Sequence, residues 1–319
     1  MGVLSMTAAT VGTIMTIRRV RSQIMQRPVL DRKTIPTNLF QGAAMFSRLA
    51  YNEPIDVWKG ISTQGQEVLL KWIEEDSPDG LKFEFIDATP LEDTQLYIWK
   101  GTSSGKIVVS FRGTLNTRDA MNALDVKLCG VAVDGNKWAT TTYNLKLTEQ
   151  QKDAPVSMRI HKGFLKQYLA IRKTLMEALQ GHEDDEIVIT GHSLGGALAS
   201  LAALDLNSAG YKMVYMVTFG APRVGDQLFA ERFEAADSNC TSFRIFKDRD
   251  PIPQILMSPK YFHVGKGLLL DDWGNLRHIS KDLETVLRPF LMLGSIHTTK
   301  LVTDHSTETY IDLLLEPKA

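Results

Sequence analysis

Gly191-His192-Ser193-Leu194-Gly195 stands directly behind the β-branched run Ile187-Val188-Ile189-Thr190 and ahead of the small-residue run Gly196-Ala197-Leu198-Ala199-Ser200-Leu201-Ala202-Ala203. That order reads as a strand turning into a helix around one serine, a nucleophile elbow. So tight a turn forces strained backbone angles at the serine and leaves no room beside it for side chains, which is the physical reason for flanking glycines. The hydroxyl is thereby lifted above the sheet edge. Because the helix begins at the serine, its unpaired N–H groups and positive dipole end point at any oxyanion formed there. Acyl transfer is the chemistry this geometry suits.

The rest of the chain alternates in the same manner. Strands are expected at 83–86, 95–99, 106–111, 213–219 and 242–246, and helices from Ile35 to about Ala50, from Gly163 to Leu179 and from Thr307 to Leu315. Strand and helix in turn predict an α/β fold, with a mainly parallel central sheet covered by helices on both faces. With 319 residues, 44% hydrophobic and 23% charged, the chain has ample material for a core. No repeat or low-complexity linker divides it, so residues 31–319 are expected to form one domain behind a leader or flexible segment at 1–30. The acidic run Glu183-Asp184-Asp185-Glu186 reads as a solvated loop.

Charge and cysteine content exclude other classes. A formal net charge of -1 and no basic-aromatic cluster argue against nucleic acid as a partner. Cys129 and Cys240 lie far apart and in no ligand spacing, so no metal or cofactor is expected, and their pairing is left open. The apolar stretch Val3 to Ile17 is short for a membrane span, lacks a positive segment before it and is followed by Arg18, Arg19, Arg21 and Arg27. With so few cysteines, an intracellular location, cytoplasmic or organellar, is expected over secretion.

A serine nucleophile needs a histidine as base and a carboxylate to orient it, in the chain order Ser, Asp, His on such a fold. Asp250 follows the strand run Arg244-Ile245-Phe246 in a proline-stiffened loop, with Asp248 as its rival, read as a surface turn residue. His305, in the loop opening the last helix, is favoured as base on position, with His297 as runner-up. His192 is read as structural and His161 as a packing residue. Thr114, at the strand end Phe111-Arg112-Gly113-Thr114, and the N–H of Leu194 are the expected oxyanion donors.

Taken together, Phe111-Arg112-Gly113-Thr114, His161-Lys162-Gly163-Phe164, Gly191 to Gly196, Phe219-Gly220-Ala221-Pro222-Arg223-Val224-Gly225, Arg249-Asp250 with Pro253, and Asp304-His305 resemble the class 3 (fungal-type) lipases of the α/β-hydrolase superfamily. The likeness runs from about Phe40 to Tyr310. It implies Ser193 as nucleophile, Asp250 as orienting acid, His305 as base, Thr114 with Leu194 as oxyanion hole, and His263 outside the triad. It also implies a lid at Leu115 to Leu128, here without an aromatic residue, and the polar stretch Val131 to Val156 looks inserted. The expected function is a serine carboxylic-ester hydrolase acting on glycerolipids, of the triacylglycerol lipase type. A phospholipase A1 or a galactolipase is the near alternative, and a catalytically idle scaffold used for lipid binding or signalling the distant one. A lipid or ester substrate and transient contact with a membrane or lipid-droplet surface are the expected partners, with the oligomeric state left open.

Overall fold

The computed structural model of the chain describes residues 19, 22–51, 81–87, 94–101, 106–114, 128–131, 133, 134, 137, 138, 158–211, 213–237, 241–256, 260–280 and 301–316. Eight strands form one sheet in which chain order is also spatial order: β1 (Leu81–Asp87), β2 (Gln95–Gly101), β3 (Lys106–Phe111), β4 (Glu186–His192), β5 (Met213–Phe219), β6 (Thr241–Phe246), β7 (Lys266–Leu270) and β8 (Leu276–Ile279). Strands β3 to β7 are mutually parallel. The antiparallel pairs lie at the margins, β1 with β2, β2 with β3, and β7 with β8. The mainly parallel sheet expected from the sequence is therefore present.

Why the strands read as unbroken apolar runs is clear from their neighbours. Ile107, Val109, Phe111, Ile187 and Ile189 enter one buried cluster and Val108 and Val188 the other, so the two-residue period sends alternate side chains to opposite faces. Helices α2 (Lys162–Ala178), α3 (Leu194–Ser208) and α4 (Gln227–Ala236) cover the first face, α1 (Thr37–Leu49) and α5 (Thr307–Leu315) the second.

Helix α3 is buried along its whole run from Gly195 to Leu206, which explains its small residues. Its one charged side chain, Asp205, is matched rather than exposed. Tyr168 donates to it at 2.7 Å, and Arg172 reaches both carboxylate oxygens at 2.5 and 3.0 Å.

Two features lie outside the sequence expectation. Strands β7 and β8 were not anticipated, because Gly267-Leu268-Leu269-Leu270 carries no period that separates strand from helix. A two-stranded ribbon pairs Leu128–Val131 with Met158–His161, so the polar stretch between them leaves and returns at one place. The proposed lid residues 115–127 and most of Val131 to Val156 lie outside the described residues. Before α1, Ile24 is buried against Phe246, Leu269 and Ile279, Leu30 donates to the Leu276 carbonyl, and Arg32 caps the Leu314 and Gly274 carbonyls at 2.9 and 2.8 Å. This segment covers the outer edge of β8, whose backbone groups would otherwise stand open.

Parallel strands end at one edge of the sheet. The segments following Phe111, His192, Phe219 and Phe246 therefore emerge side by side, and they carry Thr114, Ser193, Gly220 and Asp250.

Candidate active site

Ser193 sits at φ 58°, ψ -126°, between β4 and α3. Such backbone costs a non-glycine residue about 1–3 kcal/mol and persists only where its surroundings enforce it. Here the Ser193 N–H donates to the Phe219 carbonyl at 2.9 Å, and a Cβ on Gly195 would overlap the Phe111 carbonyl. The elbow is thus wedged against both neighbouring strands. Leu194 is the first residue of α3, so its N–H has no partner within the helix. Ser193, Leu194 and Thr114 line one cavity of about 100 Å³, together with His161, Phe164 and Ile255 among others. His161, read as a packing residue, caps α2 by accepting from the Phe164 N–H, and its ring also borders this cavity.

His305 lies in the turn ahead of α5 and is 1% exposed. Its Nδ1 meets both oxygens of the fully buried Asp250 at 2.8 and 2.9 Å, whereas its Nε2 is buried with no hydrogen-bond partner among the described residues. Asp250 also accepts from the Ile252 N–H at 2.9 Å and from the Tyr310 hydroxyl at 2.6 Å. An acceptor-only carboxylate facing Nδ1 requires that nitrogen to carry the proton, which leaves the Nε2 lone pair unused. Burial first, then the Asp250 charge and hydrogen bond, raise the Tyr310 hydroxyl well above its ordinary pKa, so it remains a donor.

The acid and base loops are tied to each other. Lys247 and Arg249 both pair with Asp272, at 2.8 and 2.6 Å, and Arg249 reaches Asp304, the residue before His305, at 3.2 Å. The buried Arg223 donates to the Pro253 and Ile255 carbonyls, and His263 Nε2 donates to Pro253 at 2.9 Å. His263 therefore braces the acid loop. Asp248 is 5% exposed, so it is buried and not the surface turn residue expected, and it is Asp250 that meets the imidazole. His297 and Cys240 lie outside the described residues, and with Cys240 the pairing of the cysteines. Tyr310 was overlooked as a partner of the acid. Its signal was its place one turn into the helix that His305 introduces.

His192 occupies the other side of the elbow. Its Nε2 donates to the His305 carbonyl at 2.6 Å and its Nδ1 accepts from the Tyr51 hydroxyl at 2.8 Å. Burial first, then the nearby His305, hold its pKa well below the ordinary histidine value of 6.5, against the opposing effect of the His305 carbonyl. A group depressed in the folded state binds its proton more readily when unfolded. Its contribution to stability is present above the unfolded pKa and is lost as pH falls below about 6.5. The melting temperature is expected to fall with acidification through that window, and less steeply in His192→Gln. Parallel slopes for the two proteins would show that His192 does not carry the effect.

The family described as Lipase (class 3) matches residues 108–259. Secreted mono- and diacylglycerol lipase A of Penicillium cyclopium is 26% identical over 211 residues, covering 65% of this chain and 61% of the relative. Phospholipase A1-II 3 of Oryza sativa subsp. japonica is 30% identical over 177 residues, covering 52% of this chain and 42% of the relative. The chain thus spans about three fifths or less of the length of these relatives. Lipase II from Rhizopus niveus shares the fold with a TM-score of 0.59 at 24% identity, over 87% of this chain and 95% of that one. The expectation of an intracellular location is corrected here, because the Penicillium relative is named as secreted. Two cysteines and an arginine cluster constrain redox chemistry and local charge, but they do not report the export route. Motif order, fold and the family match over residues 108–259 agree in making this chain similar to the class 3 lipases.

Proposed function

We propose that the protein is a serine carboxylic-ester hydrolase acting on glycerolipids, with Ser193 as nucleophile, His305 as general base, Asp250 as orienting acid, and the backbone N–H groups of Thr114 and Leu194 as oxyanion donors. The observation that carries this reading is the His305 ring: bonded through Nδ1 to a buried carboxylate, unpaired at Nε2, and fastened by its own carbonyl to the residue preceding Ser193. In the reaction Nε2 takes the Ser193 Oγ proton as Oγ attacks the ester carbonyl. The carbonyl oxygen becomes the oxyanion between Thr114 and Leu194, and the proton passes to the departing alcohol. Water, deprotonated by the same Nε2, then attacks the acyl carbonyl, and the proton returns to Ser193 Oγ as its bond to the acyl carbon breaks and the fatty acid leaves. Asp250 stays ionised and holds the productive tautomer. Residues 31–319 form the hydrolase domain in this reading.

Contact with a lipid surface belongs to the same proposal. Trp273, 55% exposed, sits on the β7–β8 hairpin at the sheet edge from which Ser193 and Asp250 emerge. An indole there suits the boundary between water and acyl chains. Triacylglycerol is the first substrate to test, and the rice relative's name makes a phospholipid the second. A fluorophosphonate probe is expected to label the wild-type chain once, on the peptide holding Ser193, and hydrolysis of triacylglycerol, phospholipid and galactolipid dispersions then ranks the headgroups. Failure to label, or a label on another residue, overturns the assignment.

A further inference from the structure

Two hydrogen bonds in series and one close backbone approach join four separate segments around the elbow. The Gly113 backbone packs against the Tyr51 oxygen, the Tyr51 hydroxyl donates to His192 Nδ1 at 2.8 Å, and His192 Nε2–H donates to the His305 carbonyl at 2.6 Å. The direction of the series is fixed at its end, since a carbonyl oxygen only accepts. Nε2 must then carry the His192 proton, Nδ1 must accept, and Tyr51 must donate. A Cβ on Gly113 would overlap the Tyr51 oxygen, so the approach is close enough to demand glycine there. Tyr51 comes from the end of α1, Gly113 precedes the oxyanion residue Thr114, and His192 precedes Ser193.

We propose that Tyr51 and His192 are positioning residues, a directional relay that sets the oxyanion strand end and the base loop at fixed heights against the nucleophile. This rests on the reading of Ser193 and His305 given above. The carboxylate of Asp250 orients the His305 ring, but it restrains only the side chain. His192 restrains the backbone from which that ring projects. On the opposite side Tyr51 holds the peptide before Thr114, so one pair of side chains registers both the proton acceptor and an oxyanion donor on the same serine. The relay has an electrostatic consequence too. The His192 and His305 rings are 4.5 Å apart, and a cation on His192 would oppose formation of the His305 imidazolium. A Tyr51 proton directed at Nδ1 occupies the lone pair that would otherwise take one up. The groups facing this pair are Arg48, Arg112 and Glu308 around Tyr51, and the Tyr310 ring at 6.0 Å from His192.

The test uses the full chain with a water-soluble p-nitrophenyl ester below its solubility limit. Tyr51→Phe is expected to lower kcat by about 10- to 100-fold with KM unchanged, the scale of an ångström-level misplacement. His192→Gln keeps a donor for the His305 carbonyl and loses only the Tyr51 link, so it should match Tyr51→Phe. His192→Leu loses both links and should fall further. Tyr51→Phe and His192→Gln break the same Tyr51–His192 link, so combining them should be no worse than either alone. Melting temperatures separate positioning from unfolding, and the two conservative variants carry the test if the leucine variant does not fold. Wild-type kcat in Tyr51→Phe, a change confined to KM, or losses that multiply in the double variant would each overturn the relay. If the wild type neither takes a fluorophosphonate label nor turns over ester, the active-site reading fails and the relay with it. If it does both while Tyr51→Phe is unaffected, only the relay fails.

Discussion

Ser193→Ala is expected to reduce kcat on a soluble ester by about 10⁴- to 10⁶-fold, the range found when the nucleophile of a Ser-His-Asp unit is removed. The loss is this large because the other members act only through that oxygen. Among the described residues His305 Nε2 makes no hydrogen bond, and without Oγ it has no proton to take from the enzyme in the proposed reaction. The cavity and the oxyanion donors remain, so the residual rate should still exceed that in water alone. The fold should be indifferent. The Ser193 N–H bond to Phe219 belongs to the backbone, and alanine meets the same strain at φ 58° that serine already tolerates. A melting temperature within about 2 °C of wild type, measured beside the rate, would confirm that chemistry rather than folding was removed. Near-wild-type turnover in the variant would instead point to a different nucleophile.

How much of this site could be read in advance depended on the range of the interaction responsible. The elbow was legible because its cause is local: a β-branched run, a serine between glycines and a small-residue helix occupy one short window, and each is required by the same turn. Asp250 was separable from Asp248 only through the proline loop that follows it, and burial turned out not to distinguish them, since both are inside. Strands β7 and β8 left no period in the sequence, because Leu268, Leu269 and Leu270 are all buried, on both faces. Tyr51, Tyr310 and the Lys247–Arg249–Asp272–Asp304 pairs were illegible for another reason. Each meets the site across a gap in sequence that no pattern encodes: Tyr51 bonds a residue 141 positions away and Tyr310 one 60 away. A hydroxyl on a helix shows its purpose only once the sheet has brought a carboxylate to it.

Asp250→Asn should lower kcat by about 10⁴-fold while leaving the chain folded, and the reason lies in counting donors. The carboxylate receives three, from His305 Nδ1, the Ile252 N–H and the Tyr310 hydroxyl. An amide offers one oxygen and one NH₂. If its oxygen takes the Oδ1 place it still serves Ile252, but the NH₂ then faces Tyr310 and lies beside His305 Nδ1, which touches both carboxylate positions. Two donors cannot face each other, so His305 is driven to the tautomer protonated at Nε2, which cannot accept the Ser193 proton. Tyr310 can relieve only its own contact, by turning its hydroxyl away. Fluorophosphonate labelling should slow in step with kcat, since both need the same lone pair. Tyr310→Phe, which removes one donor and leaves the charge, should cost about tenfold, in the range of partners that orient a reacting group. Asp248→Asn should leave kcat within a few-fold of wild type, as its carboxylate is not the one against the imidazole. A reversal of the two aspartates in this comparison would move the acid to Asp248, and equal activity in both variants would mean that the His305 tautomer is held by something other than a carboxylate.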